Sequence, residues 1–201
     1  WVARAAYQGL VRYFNQVAGG SLSFLPEPPS NVRATAAADG VQVAWNPPQA
    51  QAGSGIPTGY VVYRSTDGRG FGDPVVVPGA TPSVLLTNVP PGTTVYVRVA
   101  ATNAGGESLP SEVVGCRRPL LPGGSRLLYV NGFTRMERSL NLRQIPAVRG
   151  YRAPGHDGNG GTMDRVLPRR VNAFDYVVAH GEALSALGRP FDSCGRAALT
   201  N

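Results

Sequence analysis

Apolar residues recur along the chain with two different periods. In the opening stretch WVARAAYQGLVRYFNQV, Val2, Ala6, Leu10, Tyr13 and Val17 stand three and four residues apart, which predicts an amphipathic helix over 1–17. Arg4, Gln8, Arg12 and Gln16 repeat every four residues on its other side, and Ala18-Gly19-Gly20 closes it. An isolated helix of this length is marginal in water, so its stripe needs a partner, expected in a domain lying before Trp1. SLSFLPEPP (21–29) is a proline-rich, stiff connector. From there to 118 the period falls to two. SNVRATAAADG, VQVAW (41–45), GYVVYRST (59–66), PVVV (74–77), SVLLTNV (83–89), TTVYVRVAATN (93–103) and SEVVG (111–115) are short runs split by Asp-Gly, Pro-Pro, Pro-Gly and Gly-Gly turns. Seven such runs in so short a stretch predict an antiparallel sandwich. Strand alternation puts Trp45, Tyr60 and Tyr96 in its core; a sugar-stacking platform is the alternative reading of the same rings.

After the linker PLLPGG (119–124) the pattern changes. RLLYV (126–130) is continuously apolar, the mark of a strand covered on both faces. A long Arg/Gly/Pro stretch, 135–170, has no clear period. Asn172, with Asp175 three residues on, then predicts a helix start. Phe174, Val177, Val178, Gly181, Leu184 and Leu187 form the stripe of that helix, and Gly188 its end. Arg189 to Asp192 reads as a second short strand and Gly195 to Leu199 as the start of another helix. The order is that of an α/β unit, and two strands are too few to cover a parallel sheet, so 125–201 is expected to be a partial domain.

Composition narrows the possibilities. The chain has 201 residues, of which 42% are hydrophobic and 15% charged, and no run reaches the ~20 apolar residues of a membrane span. Cys116 and Cys194 are too few for a disulfide scaffold or a cysteine zinc site, and both are expected to be free thiols. The chain opens on Trp1 without a basic-then-apolar leader and is read as an internal or partial segment. All 19 basic residues are Arg, and the formal charge is +7. Eleven of the arginines fall within 117–170, against Glu137, Asp157 and Asp164. Such a stretch either attracts anionic wall polymer or another polyanion, or is a solvated loop. Arg149, Arg152, Arg169 and Arg170 are the candidate polymer contacts. No aromatic interleaving accompanies them, which argues against nucleic acid.

Candidate chemistry is sparse. Open α/β sheets bind ligands at the carboxyl ends of their strands, which singles out Asn131, Arg135, Asp192 and Ser193. His180 reads either as a ligand or base, or as a partly buried structural histidine. His156-Asp157-Gly158-Asn159 with Asp164 lacks the order of a calcium loop and reads better as a flexible glycine loop. Two histidines without a Glu at ligand spacing make no zinc site, and no nucleophile motif is present. The chain is expected to carry no catalytic residue and no cofactor.

Three resemblances add to this reading. ARAAYQGLVRYF is similar to the last helix of zinc-dependent N-acetylmuramoyl-L-alanine amidases, matching at Ala3, Arg4, Ala5, Tyr7, Gly9, Tyr13 and Phe14. The resemblance implies a zinc-bearing catalytic domain before Trp1, none of whose ligands can be carried onto this chain. LLTNVPPGTTVYVRVAATNAGGESLPSE, together with Trp45, resembles the fibronectin type III pattern over 30–118. That resemblance implies an immunoglobulin-like sandwich with spacer or interaction roles, and makes Tyr96 a corner tyrosine whose hydroxyl reaches an upstream backbone group. The Arg-Gly-Asp adhesive motif is absent, since Phe71 follows Arg69-Gly70. Val130, Gly132, Phe133, Arg135, Phe174 to Val177, His180 and Phe191 to Ser193 are similar to an α/β domain of secreted bacterial wall or polysaccharide enzymes, with Asn131 where that pattern has Asp. The fold class expected is therefore mainly β: one amphipathic helix (1–20), a fibronectin type III sandwich and a partial α/β unit. Two functions fit: a non-catalytic accessory portion of a secreted peptidoglycan amidase, in contact with its own missing domains, or an extracellular adhesion or wall-polymer-binding module.

Overall fold

The computed structural model describes residues 2–49, 53–79, 81–132, 143–144, 163–164 and 174–200. The chain forms two compact units, Trp1–Gly132 with Asp175–Asn201, and Phe133–Phe174.

The first unit opens with α1 (Val2–Ala18), closed by Gly19 at φ 67°. The sandwich follows as β1 (Ser30–Ala37), β2 (Gly40–Asn46), β3 (Gly59–Ser65), β4 (Gly72–Pro78), β5 (Ser83–Leu86), β6 (Thr94–Asn103), β7 (Gly106–Glu107) and β8 (Val114–Arg117). The alternation seen in the sequence is the alternation of burial. Val32 and Ala34, Val41, Val43 and Trp45, Tyr60 and Val62, and Val95, Val97, Val99 and Ala101 all point into one core. Trp45 is the largest of them, its ring edge-on to Tyr60 at 5.0 Å. Burying each of the valines contributes roughly 1.5–3 kcal/mol.

Tyr96 is buried elsewhere. Its neighbours Val95 and Val97 fill the sandwich, so Tyr96 projects from the outer face of β6. There it joins Val113, Val177, Val178 and Phe191 in a second cluster, and its hydroxyl donates to the Val178 carbonyl at 3.3 Å, downstream in the chain. The corner role expected for it is not the one it fills: strand alternation cannot send residues 95 and 96 to the same side.

The cover over Tyr96 comes from the residues beyond 124: β9 (Leu127–Asn131), α2 (Tyr176–Ala186), β12 (Phe191–Gly195) and a short 3-10 turn, Arg196–Thr200. Strand, helix and strand occur in the expected order, and β9 and β12 pair in parallel. They do not stand beside the sandwich, however. β12 pairs antiparallel with β8 at Phe191 and with β1 at Ser193 and Cys194, while β9 runs along its whole length. A strand has two hydrogen-bonding edges, so β8 and β1 share the one that β9 leaves. β12 thereby closes the seam between the two sandwich sheets into one path, β4-β3-β6-β8-β12-β1-β2-β5. The seam strands would otherwise present unpaired N–H and C=O groups.

Other details depart from expectation. α2 begins at Tyr176, its N-cap Asp175 makes no side-chain cap bond, and Asn172 lies outside the described residues. The second strand extends to Gly195 instead of ending at Asp192. Leu127 and Leu128 are half exposed, so β9 is not covered on both faces. Leu187 lies past the end of α2 and is exposed.

In the second unit, β10 (Arg143–Gln144) pairs antiparallel with β11 (Met163–Asp164).

α1 meets the connector through its polar side. Arg4 pairs with Glu27, the Tyr7 hydroxyl accepts from Leu25 N at 3.1 Å, and Gln8 donates to the Gly53 carbonyl at 3.1 Å. Arg12 lies over the Phe24 ring at 5.1 Å. The apolar stripe is left outside: Val2, Leu10, Tyr13, Phe14 and Val17 are all more than half exposed.

Candidate functional site

The register of β9 and β12 decides which of the candidate residues meet. Leu127 pairs with Phe191 and Asn131 with Gly195, so Asn131 and Gly195 end side by side at the carboxyl end, while Asp192 lies near the entry end. Asn131 and Asp192 therefore stand at opposite ends of the strand pair and do not share a site.

At the carboxyl end, buried Asn131 donates through Nδ2 to Glu112 Oε2 at 2.5 Å. Glu112 immediately precedes Val113 and β8, on the sandwich side of the junction. Its other oxygen lies against Gly195, where a Cβ would come within 2.1 Å of Oε1. Burial pushes the Glu112 carboxyl up from its ordinary titration range, and the Asn131 hydrogen bond opposes that only in part. Tyr129 and Cys194 flank it. Burial raises the titration of both, and the Glu112 charge adds to the rise. His180 is exposed on α2, its ring 5.1 Å from that of Tyr129. It is a surface histidine, not the partly buried one expected.

At the entry end, Asp192 is bound to the scaffold. Its Oδ1 accepts from Ala36 N at 2.7 Å, and its Oδ2 pairs with Arg126 Nε at 2.8 Å. The Cys116 thiol points at the same carboxylate, 3.5 Å away, and its titration is pushed up by burial and then by Asp192. Ser193 Oγ accepts from Gly115 N at 2.7 Å and donates to Gly115 O at 2.6 Å, replacing ladder bonds. These two residues position β12. A shallow open depression of about 250 Å³ lies beside them, lined by Gly123, Gly124, Arg126, Leu127, Leu128 and Asp192.

Arg135, Arg149, Arg152, Arg169 and Arg170 lie outside the described residues, as do His156 and its neighbours. Among the described residues no three His, Cys, Asp or Glu side chains converge as metal ligands. No helix among them is long and apolar enough to cross a membrane. Both cysteines are free. The titratable carboxyl at the junction is Glu112, a residue that belongs to no sequence motif. Its signal was a lone carboxylate leading into the apolar run Val113-Val114.

The sandwich order β4-β3-β6-β8 facing β1-β2-β5, with Trp45 at its centre, agrees with a family match over residues 27–117. These residues are a fibronectin type III domain. Similar solved structures include the third fibronectin III domain of the human KIAA0343 protein, at 24% identity and TM-score 0.44, covering 53% of this chain and 94% of that one. The fn3 domain of the human collagen alpha-1(XX) chain is 29% identical with TM-score 0.41, covering 52% of this chain and 96% of that one. No curated protein matches the chain. Tyr96, Gly115 and Glu112 thus belong to the fibronectin domain, and β9, α2 and β12 are built onto it.

Proposed function

We infer that the chain is the non-catalytic accessory portion of a secreted peptidoglycan hydrolase, an N-acetylmuramoyl-L-alanine amidase whose zinc-bearing domain precedes Trp1. The observation that carries this reading is the orientation of α1. The helix rests its polar side on the connector and leaves Val2, Leu10, Tyr13, Phe14 and Val17 uncovered, a stripe of the kind that packs against a neighbouring domain. The resemblance of ARAAYQGLVRYF to the closing helix of such amidases supplies the chemistry of that neighbour. In this role the fibronectin domain is a spacer. Zinc and the peptidoglycan substrate belong to the upstream domain, and the stiff connector sets its distance from the sandwich.

The test is in two steps. The upstream coding sequence should contain two His and two Glu at amidase spacing; a frame without them overturns the amidase reading. The chain itself should release no stem peptide from peptidoglycan, with or without added zinc, and measurable release would overturn the accessory role.

The concentration of arginines over 117–170 favours a second reading, a secreted module that binds anionic wall polymer. It predicts salt-sensitive pelleting with cell walls that is lost when Arg149, Arg152, Arg169 and Arg170 are replaced by Gln. Pelleting that ignores salt, or none at all, counts against it.

A further inference from the structure

We propose that Glu112 is a proton-operated latch: protonated, it holds the β9–α2–β12 segment against the fibronectin domain, and ionised, it loosens that segment. The proposal goes beyond the function inferred above and does not depend on it. The carboxyl sits at the junction, reaching from the fibronectin domain to Asn131 at the end of β9 and to Gly195 at the end of β12. The hydrogen bond it accepts there comes from a neutral amide. Among the described residues, the titratable groups around it are Tyr129 on β9 and Cys194 on β12, with Arg33 of β1 beside Cys194 and the His180 ring of α2 tilted against that of Tyr129. Tyr129 and Cys194 would both add negative charge on ionising, so neither compensates a carboxylate.

The sign follows from proton linkage. Burial makes the docked Glu112 hold its proton more tightly than the released one does. Docking is therefore favoured while the released carboxyl is still protonated, and the advantage is lost as pH rises through the docked value. When the segment lets go, Ala36 N loses Asp192 and Gly115 loses Ser193, which leaves the facing edges of β1 and β8 open.

Amide hydrogen exchange on the full chain tests the latch, with rates in β9 and β12 corrected for intrinsic exchange between about pH 4.5 and about pH 7.5. The opening constant of the wild type should rise with pH, by at most tenfold per unit for one proton. Glu112→Gln should remove the rise and stay at the protected level, while His180→Gln keeps it. A wild-type opening constant that is flat or falls with pH overturns the proposal, as does an unchanged slope in Glu112→Gln. Should Glu112→Gln not fold, the carboxyl ¹³C titration of Glu112 in the wild type decides. A midpoint well above the ordinary ~4.3 supports the latch, and one at or below it overturns it.

Discussion

The Tyr96 hydroxyl and the bare face of Gly181 are complementary: a Cβ on residue 181 would stand 2.6 Å from the phenolic oxygen and 2.9 Å from the Phe191 ring. α2 comes close enough for Tyr96 to reach the Val178 carbonyl because residue 181 has no side chain. Gly181→Val should therefore cost roughly 1–3 kcal/mol by overpacking. Tyr96→Phe, which keeps the ring and loses one hydrogen bond, should cost about 1 kcal/mol. Calorimetry checks both, at about 2–4 °C in Tm per kcal/mol for a chain of this size. Equal stability of wild type and Gly181→Val would mean that α2 does not dock on Tyr96.

The same burial has an alkaline signature. The Tyr96 phenol is pushed up to about 12, chiefly by burial, with Glu182 adding to the shift. The folded state holds this proton more tightly than the unfolded chain, so the contribution is full below about pH 10, the unfolded value, and is lost as pH rises through the folded one. Tyrosinate absorbance should show Tyr96 as a late-titrating phenol, near the onset of alkaline unfolding. In Tyr96→Phe that late step should vanish; its persistence would assign it to another tyrosine.

Ser193 stands in for two ladder bonds at once. Ser193→Ala leaves the buried Gly115 N–H and C=O without the partners they have now, at a cost of about 1–3 kcal/mol. Exchange should speed most at the Gly115 amide, with β2 and β3 unchanged. Uniform loss of protection across the sandwich would show instead that β12 and the core unfold together.

Along α1 the two sides should respond oppositely. Leu10→Ser and Phe14→Ser change exposed positions and should move stability by no more than about 0.5 kcal/mol. Tyr7→Phe deletes the acceptor of Leu25 N and should cost about 1 kcal/mol. A large loss from Leu10→Ser in the chain alone would mean that its stripe is already covered.

The sandwich was legible because its strands are half-buried, so burial is written as a two-residue period that a reader of the sequence can follow through Val41, Val43 and Trp45. The second cluster was not. Tyr96 shares the outer face of β6 with Thr94, Arg98 and Thr102, and alternation alone says only that it faces away from Val95 and Val97. A large ring on the solvent side of a sandwich strand was itself the sign that something covers it. What covers it, β12 and α2, comes from about eighty residues or more downstream, and no local pattern encodes that distance. Phe191 to Gly195 is also a poor strand signal: it holds Asp, Ser and Gly in five buried positions, each kept there by a partner that only the fold provides. Asp192 and Ser193 looked like ligand groups for the same reason, since polar side chains in a strand suggest a site until their partners prove to be Ala36 and Gly115.

The pairing of Arg33 with Cys194 joins positions 161 residues apart. During synthesis the fibronectin strands can find one another as soon as β8 has left the ribosome, but β1 must wait for the chain to grow nearly eighty residues more before its outer edge is met. Contacts of such long range form late and slowly. The nascent chain therefore passes through a stage with a finished hydrophobic interior and an unfinished border, and it is there that a wrong strand from a crowded neighbour would compete with β12.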